Sequence, residues 1–175
     1  MIIPRDKNPQ LNRLLNPNLN RQINPILNRN INPILNRNIN PILNRNINPV
    51  LNRNINPVLN RNINPVLNRN INPVLNRNIN PKLNRNINPN INYNFNGYFR
   101  FDRNLQVTHF IVVVDRNIFQ IFDFNLNNSA FAVGHMQGGF IIFDLSNQYI
   151  SHYESDSQNG FNEFDRNNNW IGIIK

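Results

Sequence analysis

The chain has 175 residues, with 18 Lys and Arg against nine Asp and Glu, and no cysteine. That length allows one domain or two small ones, and the absence of cysteine excludes disulfides and thiolate metal sites. The formal charge of +9 is unevenly held: residues 1–90 carry thirteen bases and a single acid, Asp6, whereas residues 91–175 carry five bases and eight acids.

Other residues respect the same border. All twelve prolines lie at or before Pro89 and all six glycines at or after Gly97. The composition therefore divides the chain into a basic Asn/Pro array, 1–90, and an aromatic-rich domain, 91–175. The opening "MIIPRDKNPQ" lacks the apolar core of a secretory leader. The longest apolar run, Phe110 to Val114, is too short for a membrane-spanning helix. The expectation is a soluble chain without a membrane span, cytoplasmic by default.

In the array, prolines fall at every eighth position from Pro9 to Pro89. Ten full octads run from Lys7 to Asn86, and an eleventh, "INPNINYN", replaces its Arg with Tyr93. The unit is Ile-Asn-Pro-Val/Ile-Leu-Asn-Arg-Asn. Asn-Pro starts a turn, because the Asn side chain accepts from a nearby backbone N–H and Pro presets φ for the next position. It also reads as the N-cap and first residue of one helical turn. A long helix would lose about 3 kcal/mol at each interior proline, and a strand ladder cannot use a residue without N–H. Each octad is thus expected to be one turn and a very short extended piece.

One octad has too few apolar side chains to offset the ordering of eight residues, so folding requires stacking. The fourth position supports a solenoid-like stack. It is apolar in seven consecutive units (Ile26, Ile34, Ile42, Val50, Val58, Val66, Val74) and polar at both ends (Gln10, Asn18, Lys82, Asn90), as capping repeats are. A disordered or loosely extended tether is the other state that this composition allows. Arg21, Arg29, Arg37, Arg45, Arg53, Arg61, Arg69, Arg77 and Arg85 recur at the seventh position. Such a row suits a polyanion, whose binding is driven by counterion release. It serves equally as a solvated face that keeps an apolar stack soluble.

A second repeat follows. "GYFRFD", "IFQIFD", "GFIIFD" and "GFNEFD" begin at Gly97, Ile118, Gly139 and Gly160, always 21 residues apart. Tyr98, Phe119, Phe140 and Phe161 share one column, and Phe101, Phe122, Phe143 and Phe164 another. Asp102, Asp123, Asp144 and Asp165 come next, each placed to close a structural Asx-turn. A further apolar run then completes a β-hairpin, with Asn96-Gly97, Gly138-Gly139 and Asn159-Gly160 as reversal pairs between units. The three-residue spacing of the rings predicts a bulge or strand end between them. Four hairpins give about eight short antiparallel strands, with both ring columns expected in one core. The unit resembles the YD-type hairpin repeat of secreted bacterial toxins and adhesins, which pairs an aromatic residue with Asp at about this period. It departs from that repeat where a glycine normally follows the Asp by three: here stand Leu105, Leu126, Asn147 and Asn168.

No nucleophile elbow, phosphate loop, dinucleotide glycine pattern or HExxH occurs. His109, His135 and His152 occupy different columns, and His152 with Glu154 gives two potential ligands where a metal needs more. No catalytic residue, metal or cofactor is expected. The fold class is all-β-leaning: a turn-rich octapeptide array, solenoid-like or extended, followed by a small antiparallel domain of four 21-residue hairpin repeats. The functional expectation is a non-catalytic spacer, fibre element or scaffold. A polyanion-binding module for nucleic acid, acidic polysaccharide or an anionic surface is the alternative. The opposite charges of the two parts also suit head-to-tail self-association.

Overall fold

The four aromatic runs and the apolar runs behind them form eight antiparallel strands in the computed structural model, which describes residues 3–175. They are β1 (Tyr98–Asp102), β2 (Val107–Val113), β3 (Ile118–Phe122), β4 (Asn128–Gly134), β5 (Phe140–Asp144), β6 (Tyr149–Ser155), β7 (Phe161–Asp165) and β8 (Trp170–Ile174). Each strand pairs with the next, and β8 returns to β1, so the sheet closes into a barrel without free edges.

Within each hairpin the Asp turn recurs. Asp102 Oδ1 accepts from the N–H groups of Asn104 and Gln106, Asp144 Oδ1 from those of Ser146 and Gln148, and Asp165 Oδ1 from those of Asn167 and Asn169. Asp123 does the same for Asn127. The residue three after each Asp lies in the left-handed region: φ is 60° at Leu105, 64° at Leu126, 63° at Asn147 and 64° at Asn168. This is the position where the YD-type unit carries glycine, the residue with no Cβ to oppose that conformation. The glycines between hairpins mostly serve another purpose. A Cβ on Gly139 would lie 2.2 Å from the Tyr153 carbonyl, and one on Gly97 equally close to that of Ile111. Both therefore permit close strand approach, and Asn96-Gly97 leads from the array into β1 instead of reversing the chain.

All four hairpins shift register at the same column, after Arg100, Ile121, Ile142 and Glu163. The two ring columns point to opposite faces of the sheet, which corrects the expectation of one shared core. Tyr98, Phe119, Phe140 and Phe161 meet inside the barrel. Consecutive ring centroids lie 5.7, 4.0 and 5.4 Å apart, and Phe161 returns to Tyr98 at 5.9 Å. Phe101, Phe122, Phe143 and Phe164 point outward and are nonetheless buried, because the octad array covers them.

The array is not a β-solenoid: it contains no strand among the described residues, and each octad makes two turns instead of one. The cause lies in asparagine at every fourth position from Asn8 to Asn92. In each turn the Asn Oδ1 accepts from the N–H two residues on, as in Asn40 to Ile42 (2.9 Å) and Asn44 to Asn46 (3.0 Å). From Asn20 to Asn92 the sixth-position Nδ2 donates to the preceding octad, as Asn44 to the Asn38 carbonyl (2.6 Å). The second-position Nδ2 also does so at Asn24, Asn40, Asn48, Asn64 and Asn88, as Asn40 to the Pro33 carbonyl (2.8 Å). One octad is therefore one coil, sewn to its neighbour by one or two side-chain amides.

These coils wind once around the barrel as a belt. Near its start Gln10 donates to the Leu105 carbonyl; Asn162 of β7 then meets the Ile23 carbonyl, and Gln120 of β3 meets that of Ile71. At the far end Asn90 donates to the Phe124 carbonyl. The ring closes on itself where Lys7 Nζ donates to the carbonyls of Phe95 (3.1 Å) and Gly97 (2.6 Å). First-position isoleucines face inward and join the outer core: Ile47, Ile55 and Ile71 pack with Ile118, Phe131, Ile141 and Phe143.

The belt keeps register with the barrel. Ile23 and Ile71 are 48 residues apart, six octads, and their partners sit on strands half a barrel apart. Three octads thus span one hairpin, and the identical units show it. Single 3-10 turns recur every 24 residues at Arg13–Leu15, Arg37–Ile39, Arg61–Ile63 and Arg85–Ile87, with two more outside the series. The first-position residues ending those four turns are half-buried, whereas Ile23, Ile31, Ile47, Ile55, Ile71 and Ile79 are fully buried.

Candidate functional site

The two turns of each octad point toward opposite ends of the barrel. Fourth-position side chains reach the Asp-turn end: besides Gln10 and Asn90, Lys82 Nζ donates to Asn127 Oδ1 at 2.9 Å. Sixth- and eighth-position residues lie at the other end, where Asn20 and Gln22 meet Gln158 (3.4 and 3.1 Å). Arg21 and its eight successors stand in this second turn, all exposed. The three ion pairs among the described residues lie within the barrel domain, so these nine arginines have no acidic partner among the described residues. The belt and barrel are joined by apolar contact and hydrogen bonds, not by their opposite charges.

The fourth-position residues do not form the shared core expected of a stack. Ile26, Ile34, Ile42, Val50, Val58, Val66 and Val74 are 58 to 79% exposed, with the following leucines nearly as open. Three of the four polar residues in this column bond to the hairpin turns instead of capping a stack.

Inside the barrel each hairpin contributes one side chain to each layer, filling the narrow interior of an eight-stranded barrel. The aromatic ring layer closes one end. Next comes a layer of Ile111, Ala132, Tyr153 and Ile174, and beyond it Arg100, Ile121, Ile142 and Glu163. Arg100 Nε meets Glu163 Oε2 at 2.5 Å, and its Nη1 donates to Thr108 Oγ1 at 2.8 Å. Ser151 Oγ donates to the other Glu163 oxygen at 2.9 Å. The last layer is His109, Ala130, Ser151 and Gly172, small in three of its four places. The missing volume leaves a cavity of about 200 Å³ open at the Asp-turn end, with Tyr153 on its floor and Ile150 at its mouth. The Tyr153 side chain is fully buried and its hydroxyl has no partner; His109 Nδ1 is also without one. Burial holds the Tyr153 phenol well above its usual range. Burial, and then the charge on Arg100, push His109 below its ordinary value.

Other buried polar groups sit away from this cavity. His135 Nε2 lies 3.3 Å from Glu154 Oε1, and burial raises the Glu154 carboxyl. His152 stacks on Phe164, bonds Tyr149 through Nδ1 at 3.0 Å, and is pushed down to about 3 by burial. His152 and Glu154 therefore have separate partners and do not converge. A larger cavity of about 510 Å³ lies at the belt joint beside Lys7 and Lys175. Lys7 Nζ is already spent on the Phe95 and Gly97 carbonyls there, and Lys175 Nζ on Asp156.

No protein-family model, curated protein or solved structure matches the chain. No helix among the described residues is long and apolar enough to cross a membrane. Sequence reasoning missed the interior polar group, although its signal is present. At the 21-residue period, Arg100 and Glu163 interrupt a column otherwise filled by Ile121 and Ile142. Opposite charges on the first and last hairpins become neighbours only once the sheet closes.

Proposed function

We propose that the protein is a non-catalytic interaction scaffold whose belt presents its arginine rim to a polyanion. The carrying observation is the exposure of Arg21, Arg29, Arg37, Arg45, Arg53, Arg61, Arg69, Arg77 and Arg85 in equivalent turns, with no acid among the described residues paired to any of them. Stacked cationic turns with no internal counter-charge favour an external one, and release of condensed counterions supplies the driving force. In this reading the octads supply circumference, not reach. Nothing aromatic interleaves with the nine arginines, which favours backbone or polysaccharide charge over base stacking as the recognised feature.

The test is binding to heparin and to a mixed-sequence oligonucleotide duplex across a salt series. On the duplex, each arginine–phosphate contact contributes roughly 0.9 to the slope of log affinity against log salt. Replacing Arg37, Arg45 and Arg53 together by Gln should therefore flatten that slope by about 2–3. Heparin affinity should fall in parallel. An unchanged slope, or no binding at low salt, would discard the arginine rim as a recognition surface.

A further inference from the structure

The cavity at the Asp-turn end of the barrel is built differently from the rest of the interior. Its apolar walls are Ile121, Ala130, Ile142 and Ile150, and its polar lining is Arg100, His109, Ser129, Tyr153 and Glu163, of which Ser129 Oγ already donates to the Ile121 carbonyl. The Arg100 and Glu163 charges are spent on each other, on Thr108 and on Ser151. What is left unspent is the Tyr153 hydroxyl, buried on the floor, and His109 Nδ1 on the wall. A buried hydroxyl without a partner costs roughly 1–3 kcal/mol, which a ligand's acceptor would recover. An apolar pocket with one or two convergent polar groups in a barrel mouth is the usual form of a small-molecule site.

We infer that this cavity binds a small uncharged molecule with an apolar body and one oxygen that accepts from the Tyr153 hydroxyl, of the size and polarity of a cyclic ketone or a simple phenol. Size follows from volume: about 200 Å³ is the share of roughly seven waters at about 30 Å³ each. That admits a single small ring and excludes a nucleotide or a long acyl chain. Neutrality follows from the lining. Arg100 and Glu163 cancel, and the lowered His109 carries no charge near neutral pH, so a charged guest would lose its hydration without gaining a counter-ion. The hydroxyl of Tyr153 donates to the guest's carbonyl or phenol oxygen, and the ring of the guest lies against the isoleucines.

The site is tested on the full chain by titrating cyclohexanone and p-cresol, following the Ala130 methyl resonance, with benzoate and cyclohexylammonium as charged counterparts. Saturable shifts are expected with the neutral pair and not with the charged pair. Tyr153→Phe keeps the ring and removes the hydroxyl, and should weaken binding about tenfold, the worth of one hydrogen bond in a dry site. Ile150→Trp changes a half-exposed rim residue outside the packed layers and should block entry while the fold is retained. Tight binding in both variants, preference for a charged counterpart, or no saturable shift with either neutral probe would overturn the inference.

Discussion

The asparagine side chain works here as both acceptor and donor. A primary amide carries an acceptor and two donors on one short stem. In Asn40 the oxygen caps its own turn, through Ile42 and Leu43, while the nitrogen reaches back to Pro33. Aspartate could cap but not donate, serine could cap but is too short to reach the previous coil, and glutamine would not fit the turn. That is why Asn holds every fourth position from Asn8 to Asn92 in an array that would otherwise have little to hold one coil to the next. Asn40→Asp is a clean probe because it is isosteric at a buried position. At low pH the protonated acid keeps one O–H that can donate to the Pro33 carbonyl, so the cost measured by urea unfolding should be small. Above the ordinary carboxyl pKa it should grow toward about 1–3 kcal/mol, as ionisation leaves that carbonyl unpaired. Burial raises the folded-state pKa of the new acid, so stability is lost as pH rises from about 4 toward neutrality. A flat pH profile would mean that the position is wetter than its burial implies.

At the scale of elements, the hairpins were the legible part and the belt was not. The aromatic–Asp period marks turns whose chemistry is local, so the Asp102, Asp123, Asp144 and Asp165 columns could be read without knowing what surrounds them. Ile71 and Val74 are both apolar and both recur every eight residues, yet one is buried and the other 79% exposed. Periodicity alone cannot tell them apart, because the deciding surface is a barrel encoded elsewhere in the chain. The 24-residue recurrence in the belt is equally invisible, since identical octads acquire different environments only on docking. Its consequence can be tested by deleting one octad, residues 47–54. Ile23 and Ile71 would then be five coils apart and could not both meet Asn162 and Gln120. In the full chain Asn162→Ala and Gln120→Ala should each cost about 1–3 kcal/mol by leaving a buried carbonyl unpaired. In the shortened chain one of them should become nearly silent. If both kept their full cost, belt and barrel would not be in register.

For the molecule as a whole, the belt is half of the outer core. Phe99, Phe101, Phe110, Phe122, Phe131, Phe143 and Phe164 all lie on the outer face of the barrel domain and all are at most 2% exposed. Without the belt they would form an apolar surface far larger than a soluble domain carries. The belt in turn has only its inward Ile and Pro side chains to bury, and its fourth- and fifth-position side chains gain little from folding. Neither part should therefore hold its structure alone, although composition and charge divide them so sharply near residue 90. Small-angle scattering on residues 1–96 should give a radius of gyration near 30 Å, the value of an unfolded chain of that length, and not the 12–13 Å or so of a compact one. Residues 97–175 alone should aggregate or bind a hydrophobic dye. Mixed at refolding, the two fragments should recover a soluble complex that unfolds in one cooperative step. A compact, monodisperse 1–96 fragment would instead make the octad array a folding unit in its own right, with the barrel merely its passenger.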